Sequence, residues 1–442
     1  MKNSSKLWLP SLNSMADTFD SEIGSYPVDW TIRRVDSLFD IQQGKSVSKE
    51  HRRGDNQKSF LRTKNIFWGR IDFSELDHMH FTTQEESRLK LQTDDLLLCE
   101  GGDVGRTAIW NNGVEDCYYQ NHLHRLRVKQ AAEIDSQFAL YWFWYAFAIS
   151  GIYIGRSNVT TIPNLSQSKL SELPLPKPII DEQRRIASVL TMAQNAIAQQ
   201  ERLIRLTSEL KRALMHKLFS EGMHGDKQKQ TEVGLVPESW NQLRLEKTGE
   251  VIYGIQAAVA NNLQPVGMKI LTNKNITLDG QIVLDDINYF ELKTKRHFET
   301  ILKKGDILFN WRSGSKEHIG KTAFFDLDDE YIHSSFILRI RPNNNVIGRF
   351  LFYYLFYLRA SKYFLQKHDV SSVNSTFNKS AVDALPVFLP SKDEQEEIAS
   401  VLDTVNRRLA LLKRKRNLLE ELFRTLLHQL MTAQIRVNNL EP

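Results

Sequence analysis

Residues 314–325 read GSKEHIGKTAFF and run a glycine-bearing loop into Gly320-Lys321-Thr322, the triplet with which a phosphate-binding loop grips a nucleotide. That loop needs its first glycine where this chain has Ser315, because the turn there aims consecutive N–H groups at the phosphates. Gly314 comes one residue early, and the AFFDL stretch after Thr322 has strand character where a helix N-terminus should hold the phosphate. Spacing and context exclude a phosphate loop. Asp286, Glu291 and Lys293 could be read as a nuclease trio, but the spacing is common on charged surfaces and has no counterpart in the first half. His78/His80 and His122/His124 could each turn two imidazoles to one face of a strand and hold a metal. Neither pair recurs later, which favours surface or hydrogen-bonding histidines, and no metal site is expected. An adenine methyltransferase would need an Asn/Asp-Pro-Pro-aromatic motif for its flipped base, and the chain has no Pro-Pro pair. No catalytic residue is assigned.

The chain around these residues is ordinary. Its 442 residues, 41% hydrophobic and 25% charged, suffice for two or three domains with real cores. A net charge of +5 and a pI near 8.9 permit a polyanionic partner without requiring one. Two cysteines, Cys99 and Cys117, cannot build a disulfide framework or a four-ligand zinc site, so a cytoplasmic location is expected. The opening MKNSSKLWLPSLN lacks the apolar core of a signal peptide. The uncharged stretch FALYWFWYAFAISGIYI, residues 138–154, falls short of the roughly 20 residues of a spanning helix and reads as a buried helix.

The dominant feature is a repeat. Gly24, Pro27 and Trp30 return as Gly234, Pro237 and Trp240, and RTKNI from Arg62 aligns with TNKNI from Thr272. GRTA from Gly105 matches GKTA from Gly320, with a longer loop before the second copy, and DEQRRIASVL from Asp181 matches DEQEEIASVL from Asp393. One half-molecule is written twice. Each half opens with short apolar runs cut by Gly, Asn and Asp (DDLLLCEGG, RTAIW, DILFNW, SFILRIRP), which predict strands and turns, and closes them with an aromatic helix at 138–149 or 350–366.

Each half then ends in a long helix. Pro174, Pro176 and Pro178 precede the first, and Ser391 with Glu394 forms a capping box for the second; Asp181 and Glu182 suit the first helix dipole. Ile186, Leu190, Ala193, Ile197, Ile204, Leu214 and Leu218 keep a heptad register broken by Gln200, Thr207 and Lys211. Ile398, Leu402, Val405, Leu409, Leu412, Leu419, Phe423, Leu426 and Leu430 keep it in the second helix, broken only by Arg416. Stripes this long predict that the two helices pair with each other, antiparallel, through a seam that includes Ile186, Leu190, Ile197, Leu402, Leu409, Leu419 and Phe423.

Two β-rich domains ending in LPLPKPIIDEQRRIASVL and LPVFLPSKDEQEEIASVL, each feeding a heptad helix, resemble the specificity subunit of type I restriction–modification systems over about Gly24 to Gln434. The resemblance implies an α+β fold, with two target recognition domains in pseudo-two-fold repeat separated by two long antiparallel coiled-coil helices. It implies an N-terminal arm (1–23), a first recognition domain (24–178), a spacer helix (179–222), a linker (223–233), a second domain (234–390), a second helix (391–435) and a tail (436–442). The implied function is non-catalytic: reading an asymmetric, bipartite site on double-stranded DNA, one half-site per domain, and scaffolding two methyltransferase subunits and the restriction/motor subunits. S-adenosylmethionine, ATP and Mg are then expected on those partners and not on this chain. A coiled-coil DNA-binding regulator or adaptor outside restriction–modification is the alternative. Basic and amide residues in loops are the DNA-binding candidates, since Lys and Arg neutralise phosphates or grip guanine while Asn and Gln match adenine. They are Lys45, Ser46, Arg62, Lys64, Asn65 and Arg106 in the first half, and Gln256, Lys274, Asn275, Arg312, Lys316 and Lys321 in the second. Positions shared by both copies suit phosphate grip or loop architecture. Positions that differ, such as Lys45-Ser46 against Ile255-Gln256, suit base reading.

Overall fold

The structure, a computed structural model, describes residues 17–153, 165–255, 263–264, 266–313, 316–364, 375–376 and 378–437, with the backbone alone at 263–264, 313, 316 and 375–376. The chain divides into two compact units, Met1–Glu201 with Lys415–Pro442, and Arg202–Arg414.

In the first unit the fully buried run Leu96–Cys99 forms an inner strand, as an uninterrupted apolar run requires. It lies between Thr107–Ile109 and Leu123–Val128, and Phe39–Gln43 completes an antiparallel sheet of four. A second sheet sets Gln57–Leu61 between Asp77–His80 and the parallel Tyr118–Tyr119. The proline-bearing strand Pro174–Lys177 pairs only with Thr31–Arg34, where its missing donors cost no ladder bond. The second unit repeats the sheet of four and the proline-strand pair strand for strand, and adds a strand, Leu263–Gln264, to its version of the second sheet. Thr322–Phe324, Ile307–Asn310, Ile337–Pro342 and Gly249–Tyr253 form its sheet of four, and Pro386–Leu389 pairs with Asn241–Arg244.

The duplication extends to buried charge. Arg127 donates to the 1%-exposed Asp95 through two 2.7 Å bonds, and Arg341 does the same to Asp306, also 1% exposed. Each carboxylate accepts a further backbone N–H at 2.7 Å, from Gln92 or Lys303. Such pairs need this full complement of partners, because desolvation otherwise exceeds the Coulombic gain.

The aromatic stretch is a buried helix, Ser136–Trp144, capped by Asp135 and continued by a π turn over Tyr145–Ile149; its counterpart is Gly348–Ala360. Among the described residues no helix is long and apolar enough to cross a membrane. The long helices run Ile180–Glu221 and Lys392–Met431, about 63 and 60 Å at 1.5 Å per residue. The repeated Asp-Glu-Gln motif explains how each begins. Gln183 is wholly buried, donating to Pro178 O and Glu133 O and accepting from Asp135 N, so it ties the start of the long helix to the start of the aromatic helix. Gln395 repeats this with Pro390 O and Ile347 N.

Within the first unit Ile186, Leu190 and Ala193 share one core with Phe423, Leu427 and Leu430, and Ile197 packs on its edge. Within the second, Met215, Leu218 and Phe219 share a core with Ile398 and Leu402. In each unit the start of one long helix lies with the end of the other, as an antiparallel pair requires. Leu409 and Leu419 are half-buried on the same stripe. The seam is not apolar throughout. Lys211 stands at the position that Phe423 occupies 212 residues later and is only 8% exposed, its ammonium 4.7 Å from the centre of the Phe356 ring. Burial pushes its pKa down to about 8, with Asp279 working against the shift and Lys413 with it.

Candidate nucleic-acid interface

Several of the DNA-binding candidates fall on a tight turn that both units share. In the first domain the turn is Thr63–Asn65, and Asn65, 3% exposed, closes it. Its Oδ1 accepts from Arg62 N at 2.9 Å, while its Nδ2 donates to Asp72 O and Glu75 O. Asn275 does the same work in the second domain, accepting from Thr272 N at 2.9 Å and donating to Val283 O and Asp285 O. The turn is held from below by the basic residue of the glycine loop. Arg106 donates to Thr63 O at 3.0 Å, and Lys321 donates to the equivalent Asn273 O at 2.6 Å and to Ile276 O at 2.7 Å. What remains on the surface of each turn is a lysine, Lys64 or Lys274.

These positions correct several expectations. Asn65, Asn275 and Lys321, read from the sequence as DNA-facing, are buried and have their polar groups engaged within the domain. The Lys321 ammonium is bonded to two backbone carbonyls, and burial, aided by the charge of Arg359, holds its pKa below lysine's usual value. Lys45 is likewise 6% exposed, bonded to Glu85 at 2.5 Å and His80 O at 2.8 Å; its counterpart Ile255 is 2% exposed, so this differing pair is a core exchange and not a reading position. Arg106 is mostly covered, with a side-chain exposure of 17%. Gln256 lies outside the described residues, and so does the side chain of Lys316.

Ser46, Lys64, Lys274 and Arg312 are exposed, Arg312 lying over the Phe336 ring at 5.6 Å. Arg62 is half-buried and donates to Asp77 at 2.8 Å, and Lys64 approaches Glu75 at 3.2 Å and Asp77 at 3.8 Å. Burial works to raise the pKa of Asp77, but the Arg62 bond and the charges of Arg62, Lys64 and Arg52 hold it below the usual carboxylate range. One carboxylate thus gathers three cations on one surface of the first domain. The exposed loop KEHRRGD, with Lys49, Arg52 and Arg53, was missed in the sequence, although its charge run ending at Gly54 was the available signal.

The other chemical candidates resolve into structure. His78 bonds Ser59, His80 accepts from Asn56 N, and the buried His124 meets Leu165 O at 3.0 Å. Glu291 pairs with Lys293 at 2.9 Å on the surface. Among the described residues no group of three His, Cys, Asp or Glu side chains could hold a metal.

The family model described as "Type I restriction modification DNA specificity domain" matches residues 27–208 and again 237–421. The chain belongs to this family. It is a specificity subunit of a type I restriction–modification system, with two DNA recognition domains. A putative type I restriction enzyme MjaX specificity subunit from Methanocaldococcus jannaschii is 24% identical over 94% of this chain and 96% of its own. The MjaVIII specificity subunit of the same organism is 24% identical over 79% of this chain and 80% of its own. Among solved structures, the type I S subunit from M. genitalium shares the fold, with a TM-score of 0.56 at 18% identity over 91% of this chain and 96% of that one. A structure reported for the assembly and conformational transition of a type I system gives 0.58 at 15% identity, over 92% of this chain and 99% of that one.

The long helices of this specificity subunit carry a second apolar stripe that the heptad reading did not separate from the seam. In the second unit Leu203, Leu206 and Leu210 are 42%, 46% and 58% exposed, and Leu411 is 60% exposed. In the first unit Met192, Leu418 and Leu422 are 70%, 55% and 49% exposed, and Met192 borders an open groove of about 700 Å³ that Asp135, Arg184 and Thr191 also line. All six leucines stand one residue before a seam position, about 100° round the helix from it. The doublets Leu203-Ile204, Leu411-Leu412, Leu418-Leu419 and Leu422-Phe423 were the sequence signal for two faces.

Proposed function

We propose that this specificity subunit reads an asymmetric, bipartite sequence in double-stranded DNA, one half-site per recognition domain, and scaffolds two methyltransferase subunits and the restriction/motor subunits on its long helices. The observation that carries the reading is a shared frame under different surfaces. Both domains present a lysine on an asparagine-closed turn braced from the glycine loop, as a common phosphate grip would be built. Around it the first domain exposes Lys49, Arg52 and Arg53 beside Arg62, while the second exposes Arg312. Like frames with unlike rims suit two different half-sites. In this reading Ser46, Arg62, Lys64, Lys274 and Arg312, with the loop at Lys49–Arg53, meet the DNA.

The recognition blocks are residues 24–178 and 234–390, and the spacer helices 179–222 and 391–435, with 223–233 as the linker and 1–23 and 436–442 as arm and tail. The exposed leucines of the helices are the docking surface for the methyltransferase subunits, since scattered apolar side chains need no partner but an aligned stripe does. Methyl transfer, ATP hydrolysis and strand cleavage belong to those partners, which bring S-adenosylmethionine, ATP and Mg. The test is to map DNA methylation in cells that carry this chain with its methyltransferase. An asymmetric motif interrupted by an unread spacer is expected; a continuous or palindromic motif would refute the reading.

A further inference from the structure

Between the DNA-facing turn and the long helix, each domain runs a short excursion whose glycine tip sits on helical side chains. In the first unit Ile66–Phe67 and Arg70–Ile71 form a hairpin with Trp68-Gly69 at its tip. Trp68 stacks on Trp144 at 5.5 Å, and Gly69, at φ +67°, lies so close to Gln194 that a Cβ would stand 2.4 Å from its Nε2. Tyr141 holds that amide in place, donating to Gln194 Oε1 at 2.8 Å.

The second unit reaches the same end with different chemistry. After the turn at Thr272–Asn275, Thr277 closes a loop by donating to Asp279 and accepting from Gln281 N, and Gly280, at φ +84°, faces the rings of Phe352 and Phe356. Asp279 then pairs with Lys413 of the second long helix at 2.7 Å, while Arg359 of the aromatic helix donates to Leu278 O. The excursion is therefore tied at both ends, at the turn by Lys321 and at the tip by Lys413. Neither Asp279 nor Lys413 belongs to the proposed DNA surface.

We propose that the excursion is a strut that fixes the reading turn against its own long helix, so that Asp279 and Lys413 are positioning residues for recognition of the second half-site. The inference rests on the bipartite reading above and deepens it by naming what aligns a reader. The phosphate contact of the turn sets the register in which the neighbouring base-reading side chains meet their edges, and a turn free to shift by about 1 Å loses that hydrogen-bond geometry while its flexible lysine still reaches a phosphate. Loss of the strut should therefore reduce discrimination more than gross affinity.

The test uses the full chain assembled with its methyltransferase and three duplexes: the methylated motif and two versions with one half-site scrambled. In Asp279→Ala, discrimination at the second half-site should fall at least about fivefold, while discrimination at the first stays within about twofold. Asp279→Glu, which keeps a carboxylate opposite Lys413 and Lys211, should retain most of the discrimination, and the salt dependence of binding should not change in either variant, because Asp279 meets no phosphate. In Asp279→Ala equal losses at both half-sites or no loss at the second, or in Asp279→Glu a loss as large as in Asp279→Ala, would each overturn the strut. Thermal unfolding of the same complexes separates a merely structural effect, which would lower the melting temperature without a half-site bias. If the unaltered complex fails to distinguish any of the three duplexes, the bipartite reading falls and the strut with it; if it does distinguish them, the strut stands or falls on Asp279 alone.

Discussion

Lys64, Lys274 and Lys321 were all DNA-binding candidates, but the proposed interface gives them opposite work, and this can be measured. Lys64 and Lys274 are exposed at equivalent turns, so each is assigned one phosphate. Replacing both with Ala should flatten the slope of log affinity against log salt by about 1.8, since each phosphate neutralised contributes about 0.9. Between 50 and 200 mM salt the double variant should then lose about tenfold less affinity than the unaltered complex. Release of Lys64 from Glu75 and Asp77 changes this little, because exposed ion pairs are worth about 0–1 kcal/mol. Lys321→Ala should do the reverse. It removes two charge-assisted bonds to backbone carbonyls, each worth about 1.5–3 kcal/mol, and leaves the acceptors of a 6%-exposed site unpaired. With partial relaxation the cost is about 3 kcal/mol, or roughly 6–12 °C in the melting temperature of a unit of this size. The salt slope should stay as it was. Titrations of the assembled complex at four or five salt concentrations, with calorimetry of the same samples, decide the matter. A Lys321→Ala protein of normal stability whose slope drops by about one would show that the ammonium faces DNA, and an unchanged slope in the lysine pair variant would remove both turns from the interface.

Other consequences are as direct. Leu203, Leu206 and Leu210 replaced together by Ser should leave the melting temperature within a few degrees, because they are exposed, yet abolish co-purification with the methyltransferase; retained co-purification would clear this face of the role. Leu409→Asp with Leu419→Asp places carboxylates on the seam at a cost of several kcal/mol, and assembly measured by size-exclusion chromatography should be lost; an intact complex would refute the pairing. His333 is wholly buried, and burial first, eased by its bond to Ile337 O, sets its pKa down to about 4. The unfolded chain binds this proton below about pH 6.5 and the folded chain does not, so stability is full above that value and falls as pH drops from about 6.5 to 4, by up to about 3 kcal/mol. In His333→Gln this component of the acid dependence should vanish from denaturant titrations run across that window; an unaltered acid limb would contradict it. A fragment of residues 1–222 should pair with itself through its exposed seam and, with the methyltransferase, modify an interrupted palindrome, as sequencing of modified DNA would show; a stable monomer would contradict it.

The repeat and the heptads were legible because they are patterns of residue type at fixed spacing, and burial of the stripe from Ile186 to Leu218 and from Ile398 to Leu430 depends on little else. The role of Asp-Glu-Gln was not legible, since Gln183 and Gln395 act on backbone atoms about 48 residues away that no local pattern announces. The DNA candidates divided for a similar reason. Sequence offers a lysine in a loop, but whether it faces out, as Lys274 does, or in, as Lys321 does, depends on whether unpaired carbonyls lie beneath it. Asn65 and Asn275 recurred because both turns need closing, and recurrence alone could not separate that from a shared contact with DNA.

The two clusters at the ends of the seam also decide which parts of this chain could be exchanged. Where the first domain brings Trp68 and Trp144 to its helix, beside Phe423, the second brings Asp279 and Phe356 to Lys413 and Lys211. Transplanted into the second place, the first domain would still offer Lys211 an aromatic face, but the carboxylate opposite two ammonium groups would be replaced by an indole. The reverse transplant would bury Asp279 among rings with no cation to meet it. Recombination can therefore trade a first reader for another first reader at little cost, whereas moving a reader across the molecule demands that the helix residues travel with it. The duplicated halves have the same plan but are no longer spare parts for one another.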